Sequence, residues 1–411
     1  MTSHFDRPGS VGRASVAYLL PDPGIPVGGT KGASVHVDAL CSAMARQGVA
    51  VTLYAAKVTG PLTARGSHTV SVVPVDVGRV TSGPGGDASR VKAAHQFFEF
   101  VGAALDSDRP DWIHERLSLF AGSGTSVAAE RALTRIVEVN APIADERSRH
   151  FSLDLVSEAK LAERRALRGA RVISVSGRLA AWARQAGASE ACVIPNGADT
   201  TALACEYWSP WRSRIRADLG FDDDQVVIGF TGSLKPWHGV ENLITAVAEA
   251  SRAANVGLLV VGDGPQREVI EQLVGSLPVG VHAALTGAVP AREVPKYLSA
   301  MDVAAAPYLP SDEFYFSPLK VAEAMAFGLP VIASDFSPVR DLLGTTGILV
   351  VPGDVDDLGG AIEDLAGDPQ RRASLAHAAR ALAIAKLDWR EVATRSIEFA
   401  LGSNEPVMAN R

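Results

Sequence analysis

The chain has 411 residues, more than one hydrophobic core ordinarily organises, so two domains are expected. Hydrophobic residues make up 47% and charged residues 21%, which excludes a disordered chain and suits a soluble globular enzyme. The net charge of −7, with both signs spread along the sequence, argues against a nucleic-acid binder and a polybasic anchor.

Strand signals alternate with helix signals from the start. Ser15 to Leu20 reads as a strand, followed by the glycine-rich loop PDPGIPVGGTKGAS and an amphipathic helix ending at Gly48. Val51 to Ala55 is a second strand and Thr69 to Val75 a weaker one. A helix is expected from about Arg90 to Leu105, then a short strand at Trp112 to His114 and a helix over Leu119 to Leu133. Ile136 to Asn140 is a strand, and Phe151 to Arg168 a long charged helix. Val172 to Val175 and Val193-Ile194 are strands flanking the helix GRLAAWARQAG.

Between Asn196 and Phe221 the rhythm breaks, which marks an interdomain connection with a short helix at Arg212 to Leu219. The alternation then restarts. Strands are expected at Val226 to Phe230, Leu258 to Val261, Val281 to Thr286, Val303 to Ala306 and Gly347 to Val350. Helices lie at Glu241 to Ala253, Pro265 to Val274 and Val294 to Met301, and continue near the end to about Gly402. This pattern predicts an α/β chain with two doubly wound parallel sheets, their ligands beyond the carboxyl ends of the strands in a cleft. The boundaries are 1–200 and 201–387, with a last helix at about 388–411 packing back on the first domain.

The three cysteines, Cys41, Cys192 and Cys205, have neither metal nor disulfide spacing; a reducing cytoplasm fits, with Cys41 in the core. The first residues lack the apolar stretch of a signal peptide, and no apolar run reaches the ~18 residues of a membrane helix. Peripheral membrane contact stays open. No metal constellation is present: H-E-x-x-H and paired cysteines are missing, and Asp222-Asp223-Asp224 reads as a solvated turn.

The most informative segment is SDEFYFSPLKVAEAMAFGLPVIAS, Ser311 to Ser334. Ser317-Pro318 reads as a helix start capped by Ser317, and Gly328 as its stop. Lys320 and Glu323 interrupt a nearly all-apolar helix on one face near its start. A cation beside a helix N-terminus suits a phosphate, and a carboxylate one turn on suits ribose hydroxyls. An internal ion pair explains the two residues about as well.

Other loops that follow strands carry glycine and cations. In GGTKGAS, Gly29, Lys31 and Gly32 precede a helix and suit an anion or a sugar oxygen, although the dinucleotide spacing is missing. In FTGSLKPWHG, Gly232 allows close approach, Lys235 reaches towards phosphate, and His238 is either a phosphate donor or a packing residue. GDGP, Gly262 to Pro265, is a turn at the pocket's edge. His114, Glu115, Arg116, Asn140 and Glu146 form a polar cluster at strand ends that suits a polyhydroxyl acceptor.

These stretches resemble the retaining GT-B glycosyltransferases of the group 1 family, family 4. The matching segments in the second half are VIPNGAD, GFTGSLKPWHGVENLITA, LLVVGDGP, LTGAVPAREVPKYLSAMDVAAAPY and SPLKVAEAMAFGLPVIASD. DPGIPVGGTKGASVHV, IHER and EVNAP carry a looser likeness in the first. The resemblance implies a GT-B fold of two Rossmann-like domains facing across a cleft. It implies transfer of a hexose or N-acetylhexosamine from a nucleotide sugar, UDP by default, to an acceptor hydroxyl. The polar cluster of the first half suits a small polyol, an aminocyclitol or a sugar as that acceptor, and the Ala-, Gly- and Arg-rich composition points to secondary metabolism. The resemblance also implies no metal and no cofactor beyond the nucleotide sugar.

By that resemblance Glu323 holds the donor ribose, the amides of Leu319 and Lys320 receive the diphosphate, and Val289 meets the base. Gly232, Ser233, His238, Tyr315 and Ser317 complete the donor site; Gly29, Lys31, Gly32, Arg116 and Asn140 serve the acceptor. The sequence departs from the family in three places. Tyr315 occupies the usual first glutamate position, with Glu313 two residues earlier as a displaced candidate. Ser233 and His238 stand at the usual Arg and Lys positions, which makes Lys235 the compensating cation beside Lys320. Arg116 replaces a histidine. A nucleotide-sugar epimerase on the same fold is the alternative; a two-lobed binding protein and a pyridoxal-phosphate phosphorylase fit less well.

Overall fold

A computed structural model describes residues 13–29, 31–64, 69–81, 85–150, 152–311 and 314–402. They divide into two compact units, the first through Ile173 with Ala183–Ala191 and the residues from Ala393, the second Ser174–Trp182 with Cys192–Val392.

The first unit is built on β1 (Ser15–Leu20), β2 (Ala50–Ala55), β3 (Val70–Pro74), β4 (Trp112–Arg116) and β5 (Thr134–Val139). The sheet continues through β6 (Arg171–Ser174) and β7 (Glu190–Val193), in the order β3-β2-β1-β4-β5-β6-β7. β1 pairs in parallel with β2 and β4, β2 with β3, and β4 with β5. The chain leaves β1 towards β2 and β3 on one side, then returns to lay β4 on the other. The topological switch point therefore falls between β1 and β4, where parallel sheets open to ligands at their carboxyl ends. Cys41 is buried in the helix Gly32–Arg46, as its apolar face predicts, and none of the three cysteines forms a disulfide among the described residues.

The second unit repeats the plan with β8 (Val226–Thr231), β9 (Val256–Val261), β10 (Ala283–Leu285), β11 (Val303–Ala306), β12 (Val331–Ser334) and β13 (Ile348–Val350). Its order is β10-β9-β8-β11-β12-β13, with every neighbouring pair parallel and the switch between β8 and β11. Both faces carry apolar layers, one including Leu259, Val321 and Met325 and the other Ile228, Leu243 and Ile362. Strands buried on both faces explain the continuous apolar runs in their sequences.

Several boundaries differ from the sequence reading. The helix expected over Leu119 to Leu133 is cut to Gly124–Glu130, because Phe120 and Ala132 have positive φ, 64° and 51°, and take the chain out of the helix at both ends. The long charged helix expected over Phe151 to Arg168 spans Val156–Leu167, and a separate helix, Ile143–His150, precedes it. The helix expected from Arg90 starts at Gly86, one residue after Gly85 in the left-handed region. Among the described residues, no helix is long and apolar enough to cross a membrane.

Candidate donor site

Because the second sheet is parallel, the loops after β8, β9, β10 and β11 emerge at one edge of it. Glycines bring the first two into contact. Gly262 has φ 145°, and a Cβ there would lie 1.8 Å from the Gly232 carbonyl oxygen. A Cβ on Gly264 would meet Leu234 backbone at 2.6 Å. Backbone hydrogen bonds from Leu234 N to Asp263 O and from Gln266 N to Leu234 O lock the pair. A Cβ on Gly239, at the far end of the β8 loop, would lie 1.8 Å from Pro307 O, so that loop also presses on the end of β11. Glycine here serves close backbone approach.

The helix Leu319–Phe327 begins beside this edge. Its first turn has no side-chain cap, contrary to the reading of Ser317 as its cap. Ser317 Oγ instead accepts from Asn196 N, and Asn196 Nδ2 donates to Ser317 O at 2.7 Å. The serine ties its loop to the VIPNGAD segment, and the leading amides of the helix are left to a ligand.

Lys320 points back along the helix to the end of β8. Its ammonium nitrogen is sealed from solvent, 3.9 Å from the centroid of Phe230 and 5.5 Å from that of Tyr308, with no hydrogen-bond partner. Gly232, at φ 132°, makes room for it: a Cβ there would lie 3.0 Å from Nζ. Burial lowers the Lys320 ammonium to about 7, partly offset by Glu323. Burial likewise raises Glu323 to about 7, partly offset by Lys320. Two aromatic faces partly compensate the cation, but an unbonded buried ammonium is costly and marks a place for an anion.

Among the other expected donor residues, His238 packs within the loop after β8. Its Nδ1 meets Ser233 O, which puts the ring proton on Nδ1. Burial, with Lys320 and Lys235 nearby, holds the ring's value down to about 3 despite the Ser233 bond. With the proton on Nδ1, the other ring nitrogen is an acceptor in this arrangement. Its ring packs near Phe230, Trp237 and Tyr308. Lys235 is half-buried with its ammonium 4.8 Å from the Trp237 centroid. Ser233 is exposed in the same loop, and Val289 is half-buried after β10. Tyr315 gives its carbonyl oxygen to Ser176 Oγ, and Leu319 opens the helix. Glu313 lies outside the described residues.

The acceptor candidates fall on the first unit. Val27 N donates to Lys57 O and Thr59 N to Val27 O, and Gly28, at φ 76°, lies against Gly60. The loop holding Gly29 is thus anchored against the 57–60 segment. Lys31 and Gly32 are exposed at the start of the helix Gly32–Arg46. Arg116 ends β4, and Asn140 follows β5. Glu115 faces the opposite side of β4, bonded to Arg135 Nε at 2.7 Å, and is separated from the other polar strand-end groups. Glu138, which pairs with Arg116, and Tyr18 and His36, which meet Glu138, were not singled out from the sequence; the only available signal was a glutamate inside the apolar strand VEV.

Among the described residues, no three His, Cys, Asp or Glu side chains are grouped to hold a metal ion.

Comparison with known proteins agrees with this architecture. The family described as "Glycosyl transferases group 1" matches residues 225–368, and "Glycosyltransferase Family 4" matches residues 30–202. A GDP-mannose-dependent alpha-(1-6)-phosphatidylinositol monomannoside mannosyltransferase of Mycolicibacterium smegmatis is 29% identical over 71% of this chain and 78% of its own. A 2-deoxystreptamine glucosyltransferase of Streptomyces kanamyceticus is 34% identical over 35% of this chain and 37% of its own. Sucrose-phosphate synthase from Thermosynechococcus elongatus superposes with a TM-score of 0.71 at 22% identity, over 95% of this chain and 99% of that one, which shows the fold. With both halves matched and two Rossmann-like sheets in place, the chain belongs to the group 1, family 4 glycosyltransferases of GT-B fold, which transfer a sugar from a nucleotide sugar.

Proposed function

We propose that this chain transfers a hexose or N-acetylhexosamine from a nucleoside diphosphate sugar to a hydroxyl of a small polar acceptor, with retention at the anomeric carbon. One observation carries the reading. A buried, unbonded ammonium, Lys320, lies against the loop after β8 and belongs to the first turn of an uncapped helix at a sheet switch point. The diphosphate takes the amides of Leu319 and Lys320 and the Lys320 ammonium, with Lys235 as a second cation. Ribose hydroxyls donate to Glu323, whose carboxylate has no hydrogen bond from any described residue.

In the reaction the bond from the anomeric carbon to the diphosphate oxygen breaks. The acceptor oxygen bonds to that carbon on the same face, and its proton passes to the departing phosphate. Cationic side chains and helix amides stabilise the developing charge, so the chemistry needs no metal. The donor is read as a UDP-sugar. GDP-mannose is the specific competitor, because the relative aligned over 71% of the chain is GDP-mannose-dependent. The 2-deoxystreptamine glucosyltransferase supports an aminocyclitol acceptor.

A thermal-shift screen with UDP, GDP and dTDP and their sugars tests the donor, since a ligand bound to the native state raises its melting temperature. Nucleotide release that depends on added acceptor then tests transfer. A chain that no nucleotide stabilises refutes the proposal.

A further inference from the structure

The first unit places a buried, multiply partnered carboxylate at its own switch point. Glu138 on β5 is 2% exposed and is met by three hydrogen-bonding groups and by His36 at ion-pair distance. Its Oε1 takes His36 Nε2 at 2.9 Å and Arg116 Nη1 at 2.5 Å. Its Oε2 takes the Tyr18 hydroxyl at 2.7 Å and His114 Nε2 at 3.3 Å. Tyr18 comes from β1, His114 and Arg116 from β4, and His36 from the helix that follows the glycine loop. The Tyr18 and His114 rings stack at 5.0 Å, and Arg116 and Glu138 are register partners across β4 and β5. Burial pushes the Glu138 carboxyl up, but His36, Arg116 and the imidazole hydrogen bonds outweigh it and hold the group well below the usual carboxylate range.

A carboxylate offers about four acceptor sites, and here three take hydrogen bonds while His36 stands at ion-pair distance, so Glu138 is committed mainly to its protein neighbours. Its neighbours, in contrast, have unmet valences. The Arg116 side chain is 8% exposed, and Nη1 to Glu138 is its one side-chain hydrogen bond among the described residues. Its other N–H groups are uncommitted. Asn140, directly after β5, has a buried Oδ1 with no partner. A donor edge and an acceptor atom thus stand at the carboxyl ends of adjacent strands. A phosphate, which offers acceptors to Arg116, would leave Asn140 Oδ1 unmet. Hydroxyl groups, which both donate and accept, satisfy both.

We propose that Glu138 is the positioning residue of a polyol subsite, holding Arg116 so that its free edge and Asn140 Oδ1 read neighbouring hydroxyls of the acceptor ring. This rests on the transferase reading above, keeps Arg116 and Asn140 as the acceptor groups, and adds Glu138 as the residue that positions them to read ring hydroxyls rather than a phosphate.

The test uses the full chain with the donor found by thermal shift and two cyclitols as acceptors, myo-inositol and 2-deoxystreptamine. Glu138→Gln and Arg116→Gln are each expected to raise acceptor KM about tenfold or more, with donor KM within about twofold. The double variant should lie within about threefold of the worse single one, because the two residues act as one device. Tyr18→Phe removes one of the three hydrogen-bond donors without touching the Arg116 ion pair, and is expected to raise acceptor KM about threefold. It keeps the test open if Glu138→Gln does not fold. A lowered melting temperature with unchanged acceptor KM in the soluble variants overturns the proposal and leaves Glu138 a packing residue. A wild-type chain that binds donor yet responds to neither cyclitol also overturns it. A wild-type chain that binds no nucleotide refutes the transferase reading instead.

Discussion

Replacing Lys320 by methionine should make the empty protein more stable and destroy donor binding. The side chains are similar in volume, so the cavity cost is small and the change is mainly loss of a buried charge. Bringing an ammonium from its ordinary 10.5 down to about 7 corresponds to ~5 kcal/mol of lost stability at neutral pH. This is an upper figure, because part of the burial remains and Glu323 loses its cation. A gain of about 1–2 kcal/mol, or a few degrees in melting temperature, is the expected remainder. The sign has a pH signature. A lysine whose folded value is depressed destabilises most below about 7, and the penalty fades as pH rises towards 10.5. Wild-type stability should gain from this group across that window, and the Lys320→Met variant should lack the gain. Differential scanning calorimetry at pH 7 and pH 9, with and without the nucleoside diphosphate that stabilises wild type, measures both effects. Transferase turnover should fall by about 10²-fold or more with the loss of a transition-state cation. If Lys320→Met melts below wild type and still responds to nucleotide, Lys320 is a structural cation and the site assignment fails.

Three further outcomes are expected. Donor affinity should peak near pH 7. Below it Glu323 is protonated and gains its charge only by releasing a proton on binding, and above it Lys320 must take one up. Isothermal titration in buffers of different ionisation enthalpy reads both limbs; Glu323→Gln should flatten the acidic limb and Lys320→Arg the alkaline one. Gly232→Ala should weaken nucleotide binding by about 1–3 kcal/mol, because a Cβ at φ 132° is strained and lies 3.0 Å from Lys320 Nζ; unchanged affinity would refute that close approach. Glu115→Gln should lower the melting temperature, since it leaves Arg135 buried without its carboxylate, while nucleotide affinity stays within about twofold.

Much of this was legible in the sequence because parallel strands and glycine-dense loops have strong local signatures. VGLLVV and VIAS are continuous apolar runs, and strands so buried have little choice of environment. Lys320 and Glu323 stood out because charge is rare in a helix such as LKVAEAMAF, where every other residue after Lys320 is buried except Glu323. Three features were not legible. Ser317 has the composition of a cap, yet Asn196, over a hundred residues away, claims its hydroxyl. His238 sits where a cation is usual, yet enclosure by Phe230, Trp237 and Tyr308 keeps it neutral. Glu138 hides in a strand whose own pattern gives no reason for a charge. Each is fixed by non-local packing, which local periodicity does not encode.

The two sheets invite a comparison, since each carries a buried cation at the same topological place. Arg116 ends the strand beside β1, and Lys320 lies against the end of β8, each at a strand-order switch. They are held by opposite means. Arg116 is neutralised by a carboxylate that its cationic and hydrogen-bonding neighbours keep ionised, so its charge is committed and only its hydrogen-bond geometry remains to offer. Lys320 has aromatic faces, a distant glutamate partner and no hydrogen bond, so its charge is what remains uncompensated. A neutral hydroxylated ligand gains from the first arrangement and a polyanion from the second. Exchanging the two devices would place a free cation where hydroxyls are read and a quenched one where a diphosphate must be gripped. The division of labour therefore follows from which cation has a carboxylate, and it predicts that the Glu138 variants alter acceptor parameters and the Lys320 variants donor parameters.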